Sequence, residues 1–528
     1  MCYFRHYAQY LFVSIIYNHV FSNIILPLLI FVILLIIIIT NFFSGKQITI
    51  KESNNYERKQ VFNMQKLYYK PEDAFFGDCM PYGVGDKFYL FHQRDKRNPG
   101  PLPDCEPFGW DLVTTNDFVH YEYRGTSIEC GAPEAQDQFI FAGSIFKSND
   151  IYHALYTGYN RDYVNQGKAS QVLMQAHSHD LIHWEKSKEF PAITPQEGYD
   201  STDWRDPFVI WDDEKEEYLL ILGTRRNGDK HLQSGCTVYF TSKDAINWQF
   251  QGDFWAPGLF TMHEMPDLFK IGNWWYLLTT EYSHRCKTIY RMSKSLSGPW
   301  LKPSDDAFDG RAYYAARSFQ LNQKRILFGW VPTRATNNDK DDFVWGGIYM
   351  AHEIFQRKDG TLGVQIPSTV WGAFNNWETL PSSEIVTSHN QIHKVLKSNT
   401  SSLFAFQMDF TFSNETDQFG ITLYDDVESG CHYQFTISLS ENKMYFDKIP
   451  NWPWPAINNT GLERPLTLIP NHKYHLQLIL DDIVATIYIN GVALNAVMYE
   501  KCGNALGITV SNGILLAEKI RFSNSLEK

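Results

Sequence analysis

Five runs of aromatic and aliphatic residues recur along the chain, and each opens with a polar turn. They are GDKFYLFHQ (Gly85–Gln93), NDIYHALYTGY (Asn149–Tyr159), EEYLLILGTR (Glu216–Arg225), GNWWYLLTTEY (Gly272–Tyr282) and QKRILFGWV (Gln323–Val331). Such alternating or clustered β-branched and aromatic residues are typical of strands rather than helices. The runs start roughly 50 to 70 residues apart, which suits a four-stranded propeller blade with long loops. The pattern predicts one blade copied five times.

A second motif follows the first three runs. It reads NDFVHYE from Asn116, HDLIHWE from His179 and KDAINWQ from Lys243, each time with an Asp four residues before an aromatic residue. The recurrence supports a repeated all-β unit. A large β-sandwich array with hairpins of similar composition is the alternative.

A second domain is predicted after the last blade. From Leu403 the chain shows short alternating strands such as LFAFQMDFTF, HYQFTISL and IVATIYING, separated by polar turns, and Asn490-Gly491 is a strong hairpin signal. We therefore expect an all-β protein, with a five-bladed β-propeller over residues 64–372 and a C-terminal β-sandwich over residues 385–528.

The N-terminal residues 1–63 form a leader with its own hydrophobic segment. Residues 24–43 are uncharged and mostly apolar, about long enough to span a bilayer. One interpretation is a transmembrane anchor. The other is a start codon assigned too far upstream, because the segment that begins at Met64 runs directly into the first chemical motif; the protein would then be cytoplasmic.

Composition limits the classes of partner. The net charge of −12 argues against nucleic acid or anionic lipid, since phosphate binding needs a basic surface. The eight cysteines are scattered without a C-x-x-C pair, so no spacing implies a metal or a cofactor. A membrane is expected as partner only through the N-terminal segment. The aromatic content of 16% suits both β packing and the apolar faces of sugars.

Three carboxylates carry the candidate chemistry. Asp78, Asp206 and Glu264 lie just upstream of, or within, the first strand of the first, third and fourth predicted blades. Innermost strands of a propeller converge on its axis, so these side chains can meet in one pocket. Retaining glycoside hydrolysis needs one ionised carboxylate and one protonated carboxyl group about 5–5.5 Å apart. Burial and like charge would raise the pKa of one member, and we expect Glu264 to be that member.

The segments around these residues resemble glycoside hydrolase family 32, the β-fructofuranosidases. FGDCMP (Phe76–Pro81), WRDPF (Trp204–Phe208) and HEMPDLF (His263–Phe269) are similar to the family's three signature segments. The resemblance covers the chain from about Lys66 to the C-terminus. It implies a five-bladed propeller with a C-terminal β-sandwich, and a nucleophile at Asp78, a transition-state stabiliser at Asp206 and a general acid/base at Glu264.

The same resemblance extends to sugar-binding positions in other blades. It includes the LFHQ strand, the GWDLVTTNDFVHYE run, the FAGS segment, FDGRAYYAARSF and VWGG. Arg205 is added because it can hold Asp206 ionised or bind a sugar hydroxyl. The expected substrate-binding residues are Gln93, Trp110, Phe141, Ser144, Arg205, Tyr314 and Trp345.

Some positions depart from the family pattern. The first motif usually reads Asn-Asp-Pro-Asn-Gly, whereas here Gly77 precedes Asp78 and Cys79 and Met80 follow it. The acid/base Glu is usually followed by Cys, and here by Met265. All three carboxylates remain in place, so these changes bear on substrate preference.

The predicted function is therefore a retaining glycosidase that cleaves terminal β-fructofuranosidic bonds in sucrose or fructans. The alternatives are a fructosyltransferase on the same scaffold, a five-bladed hydrolase of arabinose- or xylose-containing glycans, and a carbohydrate-binding propeller without activity. The last would be indicated by loss of a catalytic carboxylate, and none is lost.

Overall fold

The structure is a computed structural model that describes residues 67–97, 105–227, 233–452 and 457–527. Within these ranges the protein is almost entirely β-structure, as predicted. The hydrophobic segment 24–43 lies outside the described residues. In the described part of the chain, no helix is long and apolar enough to cross a membrane.

The first two blades are sheets of four antiparallel strands each. Blade I contains β1 (Phe75–Val84), β2 (Lys87–Asp95), β3 (Trp110–Thr115) and β4 (Glu122–Ile128). Blade II contains β5 (Phe139–Ser148), β6 (Ile151–Tyr159), β7 (Gln171–Ser178) and β8 (Glu185–Lys186), with a short 3₁₀ helix at Val164–Gln166.

Three further blades follow in chain order. Blade III contains β9 (Tyr199–Asp212), β10 (Glu217–Arg226), β11 (Gly235–Ser242) and β12 (Gln249–Trp255). Blade IV contains β13 (Glu264–Ile271), β14 (Trp274–Glu281) and β15 (Lys287–Ser293). Blade V contains β16 (Tyr314–Leu321), β17 (Lys324–Arg334), β18 (Phe343–Gln356) and β19 (Leu362–Gln365).

The five apolar runs of the sequence are the second strands of the five blades, β2, β6, β10, β14 and β17. A second strand has neighbours on both edges and other blades against both faces. It therefore reads as a nearly continuous apolar run instead of a strict alternation. In β10, for example, all residues from Leu219 to Thr224 are buried.

The repeated Asp motif forms the turn between the third and fourth strands of blades I to III. In each turn the Asp Oδ1 accepts two backbone N–H groups, and the residue after the Asp has a positive φ. The three aspartates are Asp117, Asp180 and Asp244. Side-chain acceptance of this kind is the reason that Asp is favoured in tight turns, so the motif is structural.

The first strands of the blades form the inner wall of a ring. β1 contacts β5, β5 contacts β9, β9 contacts β13, β13 contacts β16, and β16 contacts β1. Blades I and V are also joined directly through the pair Phe76 and Gly347. The ring is closed, so the residues near the start of all five inner strands lie around one axis.

The C-terminal domain is a β-sandwich. Two long strands, β22 (Ser383–Lys397) and β31 (Ala505–Ser523), pair with each other and are shared by both sheets. One sheet adds β24 (Gln418–Asp426), β25 (Cys431–Ser438), β26 (Lys443–Ile449) and β27 (Glu463–Pro465). The other adds β23 (Leu403–Phe412), β28 (Tyr474–Asp481), β29 (Val484–Ile489) and β30 (Val492–Val497). The rings of Phe410 and Phe419 meet between the sheets at 4.9 Å.

Short elements connect the two domains. They are helix α1 (Ser368–Gly372) and strands β20 (Phe374–Asn375) and β21 (Glu378–Thr379). β20 pairs with β32 (Ser525–Leu526) and β21 with β31, so both belong to the sandwich side. Cys431 and Cys502 form a disulfide in the sandwich, a pairing that the sequence left open.

Candidate active site

Each inner strand carries a β-bulge at the same height of the ring. The register shifts fall between Phe76 and Cys79, Phe141 and Gly143, Arg205 and Phe208, Glu264 and Asp267, and Tyr314 and Arg317. A bulge kinks its strand and redirects side chains. Two of the predicted catalytic residues lie inside bulges and the third directly precedes one, so repeated local geometry turns all three toward the axis.

The three carboxylates line one cavity of about 330 Å³ at this end of the ring. Asp78 comes from β1, Asp206 from β9 and Glu264 from β13. The inner strands then continue from the cavity toward the other end of the ring, where Met80, Phe208 and Leu268 line a separate cavity. The grouping predicted from the sequence is therefore present in the structure.

Asp78 is held by an aromatic hydrogen-bond donor. The indole N–H of Trp330 donates to Asp78 Oδ1 at 3.0 Å. The pKa of Asp78 is raised well above its ordinary value, first because the carboxyl group is buried and then because Asp206 and Glu264 add like charge. The Trp330 bond and the charge of Arg317 oppose this shift.

Asp206 is almost completely buried and has a positive φ of 62°. Its Oδ2 accepts the backbone N–H of Met265 at 3.0 Å, which ties blade III to blade IV. Burial is the main cause that raises its pKa, and the charge of Arg205 is the largest opposing cause. Arg205 Nε lies 3.9 Å from the same Oδ2 atom, so both contacts fall on Oδ2 and leave Oδ1 for a ligand.

Glu264 has a partner on each carboxyl oxygen. Arg205 Nη2 lies 2.8 Å from Oε1, and the hydroxyl of Tyr314 lies 2.5 Å from Oε2. Arg205 also binds Asp203, so its guanidinium bridges two carboxylates. Burial raises the pKa of Tyr314 well above normal, so the phenol keeps its proton and donates it to the hydrogen bond.

Arg317 is a buried cation next to the carboxylates, and no role for it was predicted from the sequence. Its guanidinium donates to the backbone carbonyls of Gly143, Asp206 and Pro207. It thereby links blades II, III and V and places positive charge close to Asp78 and Asp206. The available signal was a single charged residue within the apolar stretch YAARSF of β16.

Four of the seven predicted substrate-binding residues line the cavity, namely Gln93, Phe141, Arg205 and Trp345. Gln93 is buried, its Nε2 donates to the carbonyl of Ile140 at 3.3 Å, and its buried Oε1 has no hydrogen-bond partner. Phe141 stacks on Tyr159 at 4.5 Å, which adds a second aromatic ring to the wall.

Tyr314 and Trp345 also line a neighbouring cleft of about 180 Å³. Trp330, Tyr282 and Arg311 complete much of its wall. Trp345 borders both spaces, and Tyr314 and Trp330 each bind one of the carboxylates. Trp330 lies in the last of the five apolar runs, and no role for this tryptophan was predicted from the sequence.

Trp110 and Ser144 lie outside the carboxylate cavity. Trp110 has no exposed surface, and its indole N–H donates to the carbonyl of Phe141 at 3.1 Å. Ser144 is 4% exposed, and its hydroxyl accepts the backbone N–H of Val209 at 3.2 Å. Both residues therefore bind the backbone of inner strands, and neither is part of the cavity wall.

Gly77, which departs from the family pattern, is closely covered by neighbouring side chains. A Cβ atom built on Gly77 would lie 2.4 Å from the Trp345 ring and 2.9 Å from Cβ of Gln93. The indole therefore occupies the space that an Asn side chain would need. The observed position of the Trp345 ring therefore requires glycine at position 77.

Comparison with protein families gives two matches. A model described as the glycosyl hydrolases family 32 N-terminal domain matches residues 71–362, more than half of the chain. A model described as glycosyl hydrolases family 32 C terminal matches residues 376–522. Together the two models cover most of the propeller and the sandwich.

Similar proteins have distant sequences. A beta-fructofuranosidase, insoluble isoenzyme, of Arabidopsis thaliana is 23% identical over 320 residues, which are 53% of this chain and 53% of that protein. A sucrose-6-phosphate hydrolase of Zymomonas mobilis is 25% identical over 438 residues, 76% of this chain and 79% of that protein. The chain thus spans about half the length of the Arabidopsis relative.

Solved structures share the fold. The fructan 1-exohydrolase IIa of Cichorium intybus superposes with a TM-score of 0.71 at 16% identity, covering 88% of this chain and 97% of that one. A beta-fructofuranosidase of Bombyx mori gives a TM-score of 0.64 at 16% identity, covering 88% and 94%.

Proposed function

The chain belongs to glycoside hydrolase family 32, and we propose that it is a retaining glycosidase that releases terminal β-linked fructose from sucrose or fructans. The observation that carries this proposal is the convergence of Asp78, Asp206 and Glu264 on one cavity of about 330 Å³. That volume lies at the lower end of the range of small-molecule pockets, about 300–1,000 Å³.

In the first step, the Asp78 carboxylate attacks the anomeric carbon of the fructosyl unit while the Glu264 carboxyl group protonates the departing glycosidic oxygen. The C–O bond to the leaving sugar breaks and a fructosyl ester of Asp78 forms. Asp206, fixed by the Met265 N–H, accepts hydrogen bonds from the fructosyl hydroxyls. In the second step, Glu264 as carboxylate removes a proton from water, and the resulting attack cleaves the ester.

Raised pKa values are found at Asp78 and Asp206, although the sequence pattern had pointed to Glu264 as the residue with a raised pKa. Burial is the largest cause of the raised pKa at both aspartates, and like charge from neighbouring carboxylates adds to it. The positive charge of Arg317 opposes the shift at both aspartates, and that of Arg205 opposes it at Asp206. We assign proton donation to Glu264 from its position, because its Oε2 is held by Tyr314, which lines the neighbouring cleft.

The leaving sugar can bind in the neighbouring cleft. It opens beside Trp345 and is walled by Tyr282, Tyr314 and Trp330. Aromatic rings pack well against the apolar faces of sugar rings. Because Tyr314 also holds Glu264, a sugar in this cleft would present its glycosidic oxygen to the general acid.

Hydrolysis requires that water reach the fructosyl ester, whereas a second sugar in the same cleft would give transfer. We propose hydrolysis as the main reaction. All three carboxylates are present, which favours an enzyme over a propeller that only binds carbohydrate.

The cellular location rests on the N-terminal leader. We propose a membrane anchor at residues 24–43 if these are translated, and a cytoplasmic enzyme if translation begins at Met64. Mass spectrometry of the N-terminal peptide of the native protein distinguishes the two.

The test of activity is fructose release from sucrose, inulin, levan and short fructo-oligosaccharides, with products separated by chromatography. We expect wild-type turnover on at least one substrate, and Asp78→Asn and Glu264→Gln to lower kcat by about 10²-fold or more. If the wild type binds these sugars but its turnover equals that of both variants, the protein is a binding propeller. Oligosaccharides longer than the substrate would indicate transfer.

A further inference from the structure

The C-terminal sandwich contains a second cluster of chemically competent side chains. His393 on β22, Asp425 on β24 and His432 on β25 place one ligand atom each within 4.8 Å of the other two. His393 Nε2 lies 2.6 Å from Asp425 Oδ2, and His432 Nδ1 lies 3.9 Å from Asp425 Oδ1. None of the three lines the carboxylate cavity of the propeller.

A local distortion of β24 builds this cluster. The strand pairing shifts between Leu423 and Asp426, and Tyr424 has a φ of 49°. The bulge turns Asp425 toward β22 and β25, and the Thr422 hydroxyl donates to its Oδ2 at 2.8 Å. Asp425 is 2% exposed, so a buried carboxylate is held in position by the backbone and by one hydroxyl.

Two atoms of the cluster lack hydrogen-bond partners. Asp425 Oδ1 and His432 Nδ1 are both buried without a partner. Their side chains are 0% and 7% exposed. A buried polar atom without a partner costs about 1–3 kcal/mol. The two atoms face each other across 3.9 Å, too far for a hydrogen bond and wide enough for an ion to bind both.

Gly507 forms one wall of the cluster. A Cβ atom on Gly507 of β31 would lie 3.0 Å from both Asp425 Oδ2 and His393 Nε2, and 2.6 Å from the Thr422 hydroxyl. Any larger residue at position 507 would fill the space between the ligand atoms.

We propose that His393, Asp425 and His432 form a divalent metal site that binds Zn²⁺, with water as a fourth ligand. Two imidazoles and one carboxylate are a ligand set that Zn²⁺ prefers, with bonds of about 2.0–2.2 Å. Tetrahedral geometry with such bonds separates ligand atoms by about 3.3 Å. Metal binding would therefore lengthen the distance between His393 Nε2 and Asp425 Oδ2 from 2.6 Å. It would shorten the distance between His432 Nδ1 and Asp425 Oδ1 from 3.9 Å.

The sequence did not indicate this site because its ligands are 32 and 7 residues apart without a recurring motif. The competing explanation is a hydrogen-bond network that only joins three strands. A suitable control is His475, which pairs with Asp409 at 2.9 Å in the same domain. Among the described residues, that pair is not part of a three-ligand cluster.

The test uses the full chain, stripped with a chelator and titrated with ZnCl₂ by calorimetry. We expect the wild type to bind one equivalent, His393→Asn and His432→Asn to weaken binding at least tenfold, and His475→Asn to leave it unchanged. Zn²⁺ should raise the Tm of the wild type and not that of His432→Asn.

Titration of the wild type with CoCl₂ provides a measurement that needs no variant. Visible absorption bands of tetrahedral Co²⁺ are expected at one equivalent. Fructose release by each variant shows whether it has folded, independently of metal. The proposal is overturned if the wild type neither binds Zn²⁺ nor shows these bands, or if His475→Asn weakens binding as much as His432→Asn.

Discussion

Replacing Trp330 with phenylalanine tests whether the environment of Asp78 sets the pH dependence of catalysis. The substitution removes the indole N–H that donates to Asp78 Oδ1 at 3.0 Å. It keeps an aromatic ring beside Tyr314 and Trp345, whose centroids lie 5.1 and 5.8 Å from that of Trp330. The main loss is therefore one hydrogen bond to the nucleophile.

The size and sign of the effect follow from that bond. A hydrogen bond to a charged group contributes about 1.5–3 kcal/mol, and one pKa unit corresponds to about 1.4 kcal/mol. Because the N–H stabilises the ionised form, its loss should raise the already elevated pKa of Asp78 by about 1–2 units. Less Asp78 is then ionised at any given acidic pH, so the acidic limb of the activity profile moves to higher pH.

The assay is kcat/KM for fructose release between pH 4 and pH 8, for the wild type and Trp330→Phe. We expect the acidic limb to move up by about 1–2 pH units, with the largest loss of activity at low pH. Trp345→Phe is the matched control, because this residue lines the same cavity and has no hydrogen bond to Asp78. An unchanged limb in Trp330→Phe, or an equal shift in both variants, would refute the reasoning.

Three further substitutions address other parts of the cavity. Arg205→Lys should lower kcat/KM by about tenfold or more in the same assay, because an ammonium cannot reproduce the planar fork that holds Glu264. Gly77→Asn should raise KM and lower the Tm, since its Cβ would lie 2.4 Å from the Trp345 ring, and such overpacking costs about 1–3 kcal/mol. Asp78→Asn should raise the Tm near pH 7, because burial makes the ionised carboxylate unfavourable in the folded state. The difference in Tm between Asp78→Asn and the wild type should shrink as the pH falls through the raised pKa of Asp78. It should vanish below about pH 4, where Asp78 is protonated in both the folded and the unfolded state.

Controls for these variants come from exposed positions. Arg226→Lys replaces an exposed arginine that pairs with Asp253 outside the cavity and should leave kcat/KM near wild type. Gly85→Asn adds a side chain where no atom lies within 4 Å, at a φ of 67° that Asn tolerates. The assignments are contradicted if Arg226→Lys loses as much kcat/KM as Arg205→Lys, or if Gly85→Asn lowers the Tm as much as Gly77→Asn. They are also contradicted if the higher Tm of Asp78→Asn persists at low pH.

The strands and their repetition could be read from local sequence. A second blade strand is buried on both faces, so its apolar run is visible without knowledge of its neighbours, and the Asp turn motif marks the end of the third strand. The signature segments around Asp78, Asp206 and Glu264 are also short stretches of sequence. Their resemblance to glycoside hydrolase family 32 predicted the family, which the family models confirm, together with the propeller and the sandwich.

Other features depend on which strands become neighbours. Trp110 and Ser144 lie in recognisable segments, but packing between blades buries both of them away from the cavity. Trp330 and Arg317 were ordinary members of strands in the sequence, and only ring closure brings them to the carboxylates.

The sequence by itself determined the β architecture, the family and the identity of the three carboxylates, because each is encoded in short segments. The tertiary structure alone decided how these groups are held, through Trp330, Arg317, Tyr314 and the aligned bulges, and that burial raises the pKa values of Asp78 and Asp206. It also decided that His393, Asp425 and His432 meet in the sandwich. Burial and electrostatic coupling act across space between residues far apart in the chain, and the order of the residues does not record those distances.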